Sequence, residues 1–176
     1  MLKDVQENYL IVSIEEDSTR IIIQRGQKLV YSAEFSEGGT LQIDKLIIDF
    51  FAREFNVKIG PRTAQSMRTE IGNAVEQQTV SEVKIRAREI GSDGKIHSYT
   101  KIQEIMVTDG HIRNAISGYL NSLVKEVNSV VKQFELLDNT TFGDCKILLR
   151  GKGSSLNGLD KWLQGETGLP VILAYK

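Results

Sequence analysis

The turn Glu15-Glu16-Asp17-Ser18-Thr19 places three consecutive carboxylates and two hydroxyls between two apolar runs. A divalent ion could bridge such acids to a phosphate, but an isolated acidic hairpin turn is more often solvated surface. A second candidate is Gly151-Lys152-Gly153, at the end of the apolar stretch CKILLR. Its glycines permit a tight strand-to-helix turn. The lysine between them either favours an anion or points into solvent, and solvent is the simpler reading. The remaining chemistry is sparse. His97 falls in an exposed strand reading and His111 in the first turn of a helix, and no His/Cys/Asp group has metal-ligand spacing. Cys145 has no evident base, so it reads as a core thiol and not as a nucleophile. Asp44, Asp49 and Asp109 read as helix-surface or capping residues, and Trp162 as core. No residue reads as catalytic, and no cofactor or metal is expected.

The elements that must position these residues alternate in period. Residues 8–35 read as strand, turn, strand, turn, strand, the second turn being Arg25-Gly26-Gln27. After the loop SEGGT, Ile43, Leu46, Ile47, Phe50, Phe51 and Phe55 fall at helical spacing, a helix of about 14 residues. A second helix starts at Pro61, with Ala64, Met67, Ile71 and Ala74 as its buried stripe. Strand character returns over 80–107, where SEVKIRAREI and KIHSYTKIQEIMVT flank the hairpin turn GSDG. A long helix over 109–137 follows, capped by Thr108 or Asp109, its apolar side built from Ile112, Ile116, Tyr119, Leu123, Val127, Val130, Phe134 and Leu137. A buried strand at 145–150, a short helix carrying Leu159, Trp162 and Leu163, and the strand LPVILAY close the chain. The order predicts an α/β fold with a mixed sheet, flanking helices and a small α+β insertion.

Composition narrows the partners. The 176 residues are 40% hydrophobic and 26% charged, with a formal net charge of −1. No block of like charge suggests a nucleic-acid footprint or a polybasic membrane face. A single cysteine rules out an internal disulfide. No stretch approaches the roughly 18 apolar residues of a membrane span, and MLKDVQEN has no signal-peptide core. A cytoplasmic protein without direct membrane insertion is the expectation.

Two segments carry a resemblance. IGPRTAQSMRTEIGN (59–73) resembles the "IGxxTAExxKxEIGN" segment of the bacterial actin homologue MreB. ILLRGKGSSLNGLDKWLQGETGLPVILA (147–174) is similar to that family's "LTGGGALLRGLDxLLxxETGIPVxxA". The resemblance runs over nearly the whole chain and implies an actin-like, ribonuclease H-like lobe. It corresponds to the second lobe only, subdomains IIA and IIB. Residues 1–72 and 108–176 would form the IIA-like body and 73–107 the IIB-like insertion. Relatives of heat-shock chaperone ATPase lobes or of pilus-assembly actin-like proteins are a further reading, which TAQSMRTEIGN makes less apt.

The resemblance gives the acidic turn a meaning. The family's phosphate loop at this place reads "DIGGGTT", with glycines that let backbone N–H groups approach phosphate oxygens. Here the same stretch is Ser13-Ile14-Glu15-Glu16-Asp17-Ser18-Thr19. A carboxylate about 6 Å from a phosphate charge costs on the order of 3 kcal/mol per pair at an effective dielectric near 20. Three of them should remove phosphate binding. On the adenosine side, the family's triple glycine becomes Gly151-Lys152-Gly153, and its Lys and Glu fall on Arg68 and Glu70, which otherwise read as a solvated helical face. The expectation is therefore a non-enzymatic cytoskeletal or scaffold module that binds itself or a filament-forming MreB-type homologue. Ser92, Asp93 and Lys95 at the tip of the insertion are its candidate contacts. The alternative is one half of a split actin-like ATPase completed by another chain.

Overall fold

A computed structural model describes residues 8–138 and 145–174. The opening apolar runs form β1 (Asn8–Ile14), β2 (Thr19–Arg25) and β3 (Lys28–Phe35), an antiparallel meander. Helix α1 (Thr40–Phe55) follows, then the two-residue strand β4 (Val57–Lys58) and α2 (Pro61–Glu70). The hairpin β5 (Glu82–Glu89) and β6 (Ile102–Thr108) leads into α3 (Asp109–Asp138). β7 (Lys146–Arg150), a 3₁₀ turn over Lys152–Ser155, α4 (Leu159–Thr167) and β8 (Val171–Leu173) complete the order. This is the mixed-sheet α/β fold that the alternation of periods predicts.

Five strands make one sheet, in the order β3-β2-β1-β7-β8, and β4-β5-β6 make a second. β1 pairs antiparallel with β2 and parallel with β7, and β7 pairs parallel with β8. Parallel neighbours require crossovers, which the helical segment between β3 and β7 and then α4 supply. One face of the large sheet carries Leu10, Val12, Ile14, Ile21, Ile23, Ile147 and Leu149, which form a single core with Ile43, Ile47 and Phe51 of α1 and Ile112, Ile116, Leu123 and Phe134 of α3. Each such fully buried side chain contributes about 1.5–3 kcal/mol. Cys145 is buried as a core thiol, its Sγ donating to the Asn8 carbonyl at 3.2 Å, and burial pushes its pKa up to about 12. Among the described residues no helix is long and apolar enough to cross a membrane.

Several elements differ from the sequence reading. Helix α1 begins one turn earlier than its apolar spacing suggests, at Thr40, because Gly39 supplies the extended N-cap. Helix α2 stops at Glu70, since the Ile71 and Gly72 amides both donate to the Met67 carbonyl and end the ladder; Ala74 is buried but lies beyond the helix. The returning hairpin strand begins only at Ile102. Residues 91–100 instead fold on local bonds: the Gly91 amide donates to the Lys95 carbonyl, the Lys95 amide to Asp93 Oδ1, and Thr100 Oγ1 to the His97 carbonyl. His97 therefore sits in this loop, not in a strand. Its Nε2 lies 2.8 Å from Asp93 Oδ2, and its ring stacks on Tyr99 at 4.9 Å. Of the two proposed caps of α3, Thr108 makes the side-chain bond, its Oγ1 accepting the His111 amide at 3.3 Å. The side chain of Leu137, assigned to the apolar side of α3, lies outside the described residues.

Candidate functional site

The acidic turn closes on itself before it meets anything else, the Glu15 amide donating to the Ser18 carbonyl at 2.9 Å. Its carbonyls then cap a helix. The Thr40 amide donates to the Glu15 carbonyl at 2.9 Å and the Leu41 amide to the Glu16 carbonyl at 3.0 Å. These are two of the donors an α-helix leaves free at its start. Gly39 permits the approach, because a Cβ there would come within 2.2 Å of the Glu16 carbonyl oxygen. The neighbouring Gly38 carbonyl is fixed by two buried hydroxyls, Thr19 Oγ1 at 2.6 Å and Tyr119 Oη at 2.7 Å. Burial pushes the Tyr119 phenol up to about 12.

The three acidic side chains of the turn remain exposed, and two of them are engaged. Buried Ser13 donates from Oγ to Glu15 Oε1 at 2.7 Å and accepts Arg150 Nε at 3.3 Å. Glu16 forms an ion pair with Lys152 of the Gly151-Lys152-Gly153 turn. The Lys152 ammonium, first through its hydrogen bond and then through its charge, holds the Glu16 carboxyl below its ordinary range, and Glu16 in turn raises Lys152. The sequence reading left Lys152 a choice between an anion and solvent. The Lys152 side chain is 65% exposed, and its ammonium pairs with the protein's own Glu16 carboxylate, which joins the two loops. Gly151 holds φ 88°, a backbone conformation open chiefly to glycine, and a Cβ there would come within 2.4 Å of the Ile14 carbonyl oxygen.

Arg68 departs furthest from expectation. It is not part of a solvated face: it is 5% exposed, its Nε 2.7 Å from Asp44 Oδ1 and its Nη2 3.4 Å from Asp44 Oδ2. Asp44, read as a surface or capping residue, is likewise buried. The pair ties α1 to α2 with a two-pronged charge-assisted contact. Glu70 does stay at the surface, accepting Ser66 Oγ at 2.7 Å. A cleft of about 640 Å³ opens between these parts, lined among others by Glu16, Asp44, Arg62, Arg68, Gly151 and Lys152. So the structure does bring together the acidic turn, the glycine-lysine-glycine turn and Arg68. Glu70 is not among the residues lining this cleft and faces a separate groove with Met67 and Ile85. Ser92, Asp93 and Lys95 lie in the loop between β5 and β6, away from both; Asp93 is turned back onto His97 and the Lys95 amide. Among the described residues no three His, Cys, Asp or Glu side chains converge as metal ligands.

Chemically, the cleft has one cation at the loops, and that cation is already neutralised by Glu16. A phosphate placed against this turn would have to displace the ion pair and face exposed carboxylates on Glu15 and Asp17, while the Thr40 and Leu41 amides are occupied.

A five-stranded mixed sheet with this strand order, its helices and its two facing loops defines an actin-like lobe. The chain belongs to the MreB/Mbl protein family, whose pattern matches residues 4–176. It is 27% identical over 165 residues to the cell shape-determining protein MreB of Escherichia coli K12, covering 94% of this chain and 45% of that one. Its fold is similar to that of MreB 5 of Spiroplasma citri bound to AMPPNP, with a TM-score of 0.80 at 24% identity over 96% of this chain and 48% of that one. A MamK double helical filament gives 0.70 at 14% identity, covering 96% and 50%. The chain thus spans about half the length of the relatives it matches.

Proposed function

We propose that this chain is a cytoskeletal or scaffold module that has lost ATP hydrolysis and acts through protein contacts, by self-association or by capture of a filament-forming homologue. One observation carries the reading. The turn at the phosphate-loop position is acidic, caps α1 with its own carbonyls, and is tied by Glu16 to Lys152. With residues 1–72 and 108–176 as body and 73–107 as insertion, the loop holding Ser92, Asp93 and Lys95 is one contact and the far end of the body the other. A contact between two different surfaces is heterologous and builds open strands. That a MamK relative assembles as a double helical filament is consistent with this.

Calorimetry with ATP and magnesium tests the loss of nucleotide binding. A dissociation constant above about 10 µM is expected, and tighter binding than roughly −7 kcal/mol refutes it. Sedimentation over a wide concentration range tests assembly, which D93K and K95E should weaken. A second reading, half of a split ATPase, is favoured by the retained 640 Å³ cleft with Arg62 and Arg68 in its wall. ATP turnover appearing on mixing with a second chain would select it.

A further inference from the structure

β4 stays beside β5 for two residues only, Val57 opposite Glu89 and Lys58 opposite Arg88. Gly60 and Pro61 then turn the chain out of the small sheet and into α2. From Ala87 back to Glu82, β5 runs on without that neighbour and pairs with β6 alone. Bonds at the two ends of the β5–β6 ladder set its phase. The Glu89 amide donates to the Lys101 carbonyl and the Asp109 amide to the Ser81 carbonyl, each at 2.9 Å. Odd-numbered residues of β5 therefore bond to β6, and the N–H and C=O groups of Lys84 and Arg86 point the other way. Among the described residues no backbone bond is made to Lys84 or Arg86 on that side. Beside this edge lies a groove of about 360 Å³ between β5 and α2. Val83, Ile85 and Met67 give it an apolar floor, and Arg62, Ser66 and Glu70 of α2 wall it.

We propose that this groove takes an extended segment of another chain, which adds to β5 as a strand where β4 leaves off. An open strand edge supplies main-chain bonds, and the groove beside it selects side chains. The β4 register, extended along β5, places four successive residues of such a segment opposite Arg86, Ile85, Lys84 and Val83. The first and third exchange main-chain hydrogen bonds with Arg86 and Lys84. The second and fourth share the face of Ile85 and Val83 and enter the groove over Met67, which is 2% exposed, so they are apolar and best β-branched. The first and third turn to the solvent face, beside Arg86 and Lys84. Those two cations share one carboxylate, Glu104, at 3.0 and 2.5 Å, which leaves one positive charge over. Glu82 and Arg88 add one charge of each sign at the ends of the strand, and Glu70 and Arg62 do so in the wall. An acid at the first or third place complements the surplus, and a lysine opposes it. The segment thus reads acidic, apolar, acidic, apolar. This rests on the reading of the chain as a protein-binding module and names the chemistry of a partner. It uses neither Asp93 nor Lys95.

The test uses a fluorescent peptide with the core glutamate-isoleucine-glutamate-isoleucine between glycines, titrated with the intact protein by anisotropy. It should bind with a dissociation constant below about 100 µM. N-methylating the two glutamates removes the donors aimed at Arg86 and Lys84 and should weaken binding at least tenfold. N-methylating the two isoleucines instead, whose N–H groups point away from β5, should leave it within about twofold, a contrast that a merely sticky surface would not give. Replacing both glutamates with lysine should weaken it about threefold, the scale of one exposed charge pair. S66W, at an exposed position of α2, should fill the groove and weaken binding at least tenfold while leaving the thermal melt unchanged. No binding of the parent peptide, equal effects of the two N-methylations, a lysine peptide that binds as well as the parent, or an unaffected S66W variant overturns the proposal. So does a wild-type oligomer that S66W dissociates, since a second copy would then be the occupant. If D93K and K95E weaken assembly but the peptide does not bind, only this proposal falls. If the peptide binds and ATP binds tightly as well, the groove stands and the loss of nucleotide binding falls.

Discussion

Replacing Asp44 with alanine leaves the Arg68 guanidinium buried with no counter-ion. The wild-type pair is two-pronged, at 2.7 and 3.4 Å, between residues 8% and 5% exposed. Removing one partner of a buried pair costs about 3–5 kcal/mol, most of it the uncompensated charge and not the lost attraction. For a chain of this size each kcal/mol moves Tm by about 2–4 °C, so D44A should melt roughly 10 °C lower or more. The double variant D44L/R68M removes both charges and refills the space. It should recover most of that loss, giving a strongly non-additive cycle. Urea unfolding of wild type, D44L, R68M and D44L/R68M measures all four corners, with D44A measured alongside. The reasoning fails if D44A costs less than about 1 kcal/mol, or if the double variant costs as much as the two single ones together.

Three further outcomes follow from the loops and the core. The Glu16–Lys152 contact should hold in a window: Glu16 contributes above its ordinary 4.5 and is lost as pH falls through its lowered value, and Lys152 contributes below 10.5 and is lost as pH rises through its raised value. Amide exchange at 15–18 should therefore accelerate below that acid limit, and E16Q should remove the dependence. Tyr119, raised to about 12, contributes fully below pH 10 and loses its contribution between there and 12, about 2–3 kcal/mol in all; Y119F should abolish this alkaline limb in urea titrations. Cys145 should react with a thiol reagent at neutral pH only after denaturant is added, and prompt labelling of the native protein would contradict its burial.

Much of the architecture is legible in the residues. The three-strand opening, the apolar stripes of α1 and α3, and the strand-turn-helix at 146–167 follow from period and turn chemistry alone, because burial on one face writes itself into spacing. The Asp44–Arg68 pair does not: each charge looks like surface on its own helix, and only the packing of α1 against α2 brings together residues 24 apart. The segment KIHSYT alternates like a strand, yet Asp93 and His97 bind each other and the local backbone, and such side-chain bonds compete with a ladder. β4 is two residues long, too short for any period, and exists because Val57 and Lys58 pair with Glu89 and Arg88. At the candidate site the acids and glycines are visible in sequence, but the bridge from Glu16 to Lys152 spans 136 positions and carries no local sign.

The pairing of β1 with β7 has a consequence for synthesis. β1, β2 and β3 can pair as soon as residue 35 has emerged, but the β1 edge that accepts β7 stays unpaired until residues 146–150 follow. At about 5–20 residues per second, the intervening 110 or so residues take roughly 6–22 s. For that interval the nascent chain presents Leu10, Ile11 and Val12 on a bare strand edge beside α1, before the rest of the sheet exists. Slowing translation downstream of β3 would lengthen that interval, and misassembly between neighbouring nascent chains on one message should rise with it.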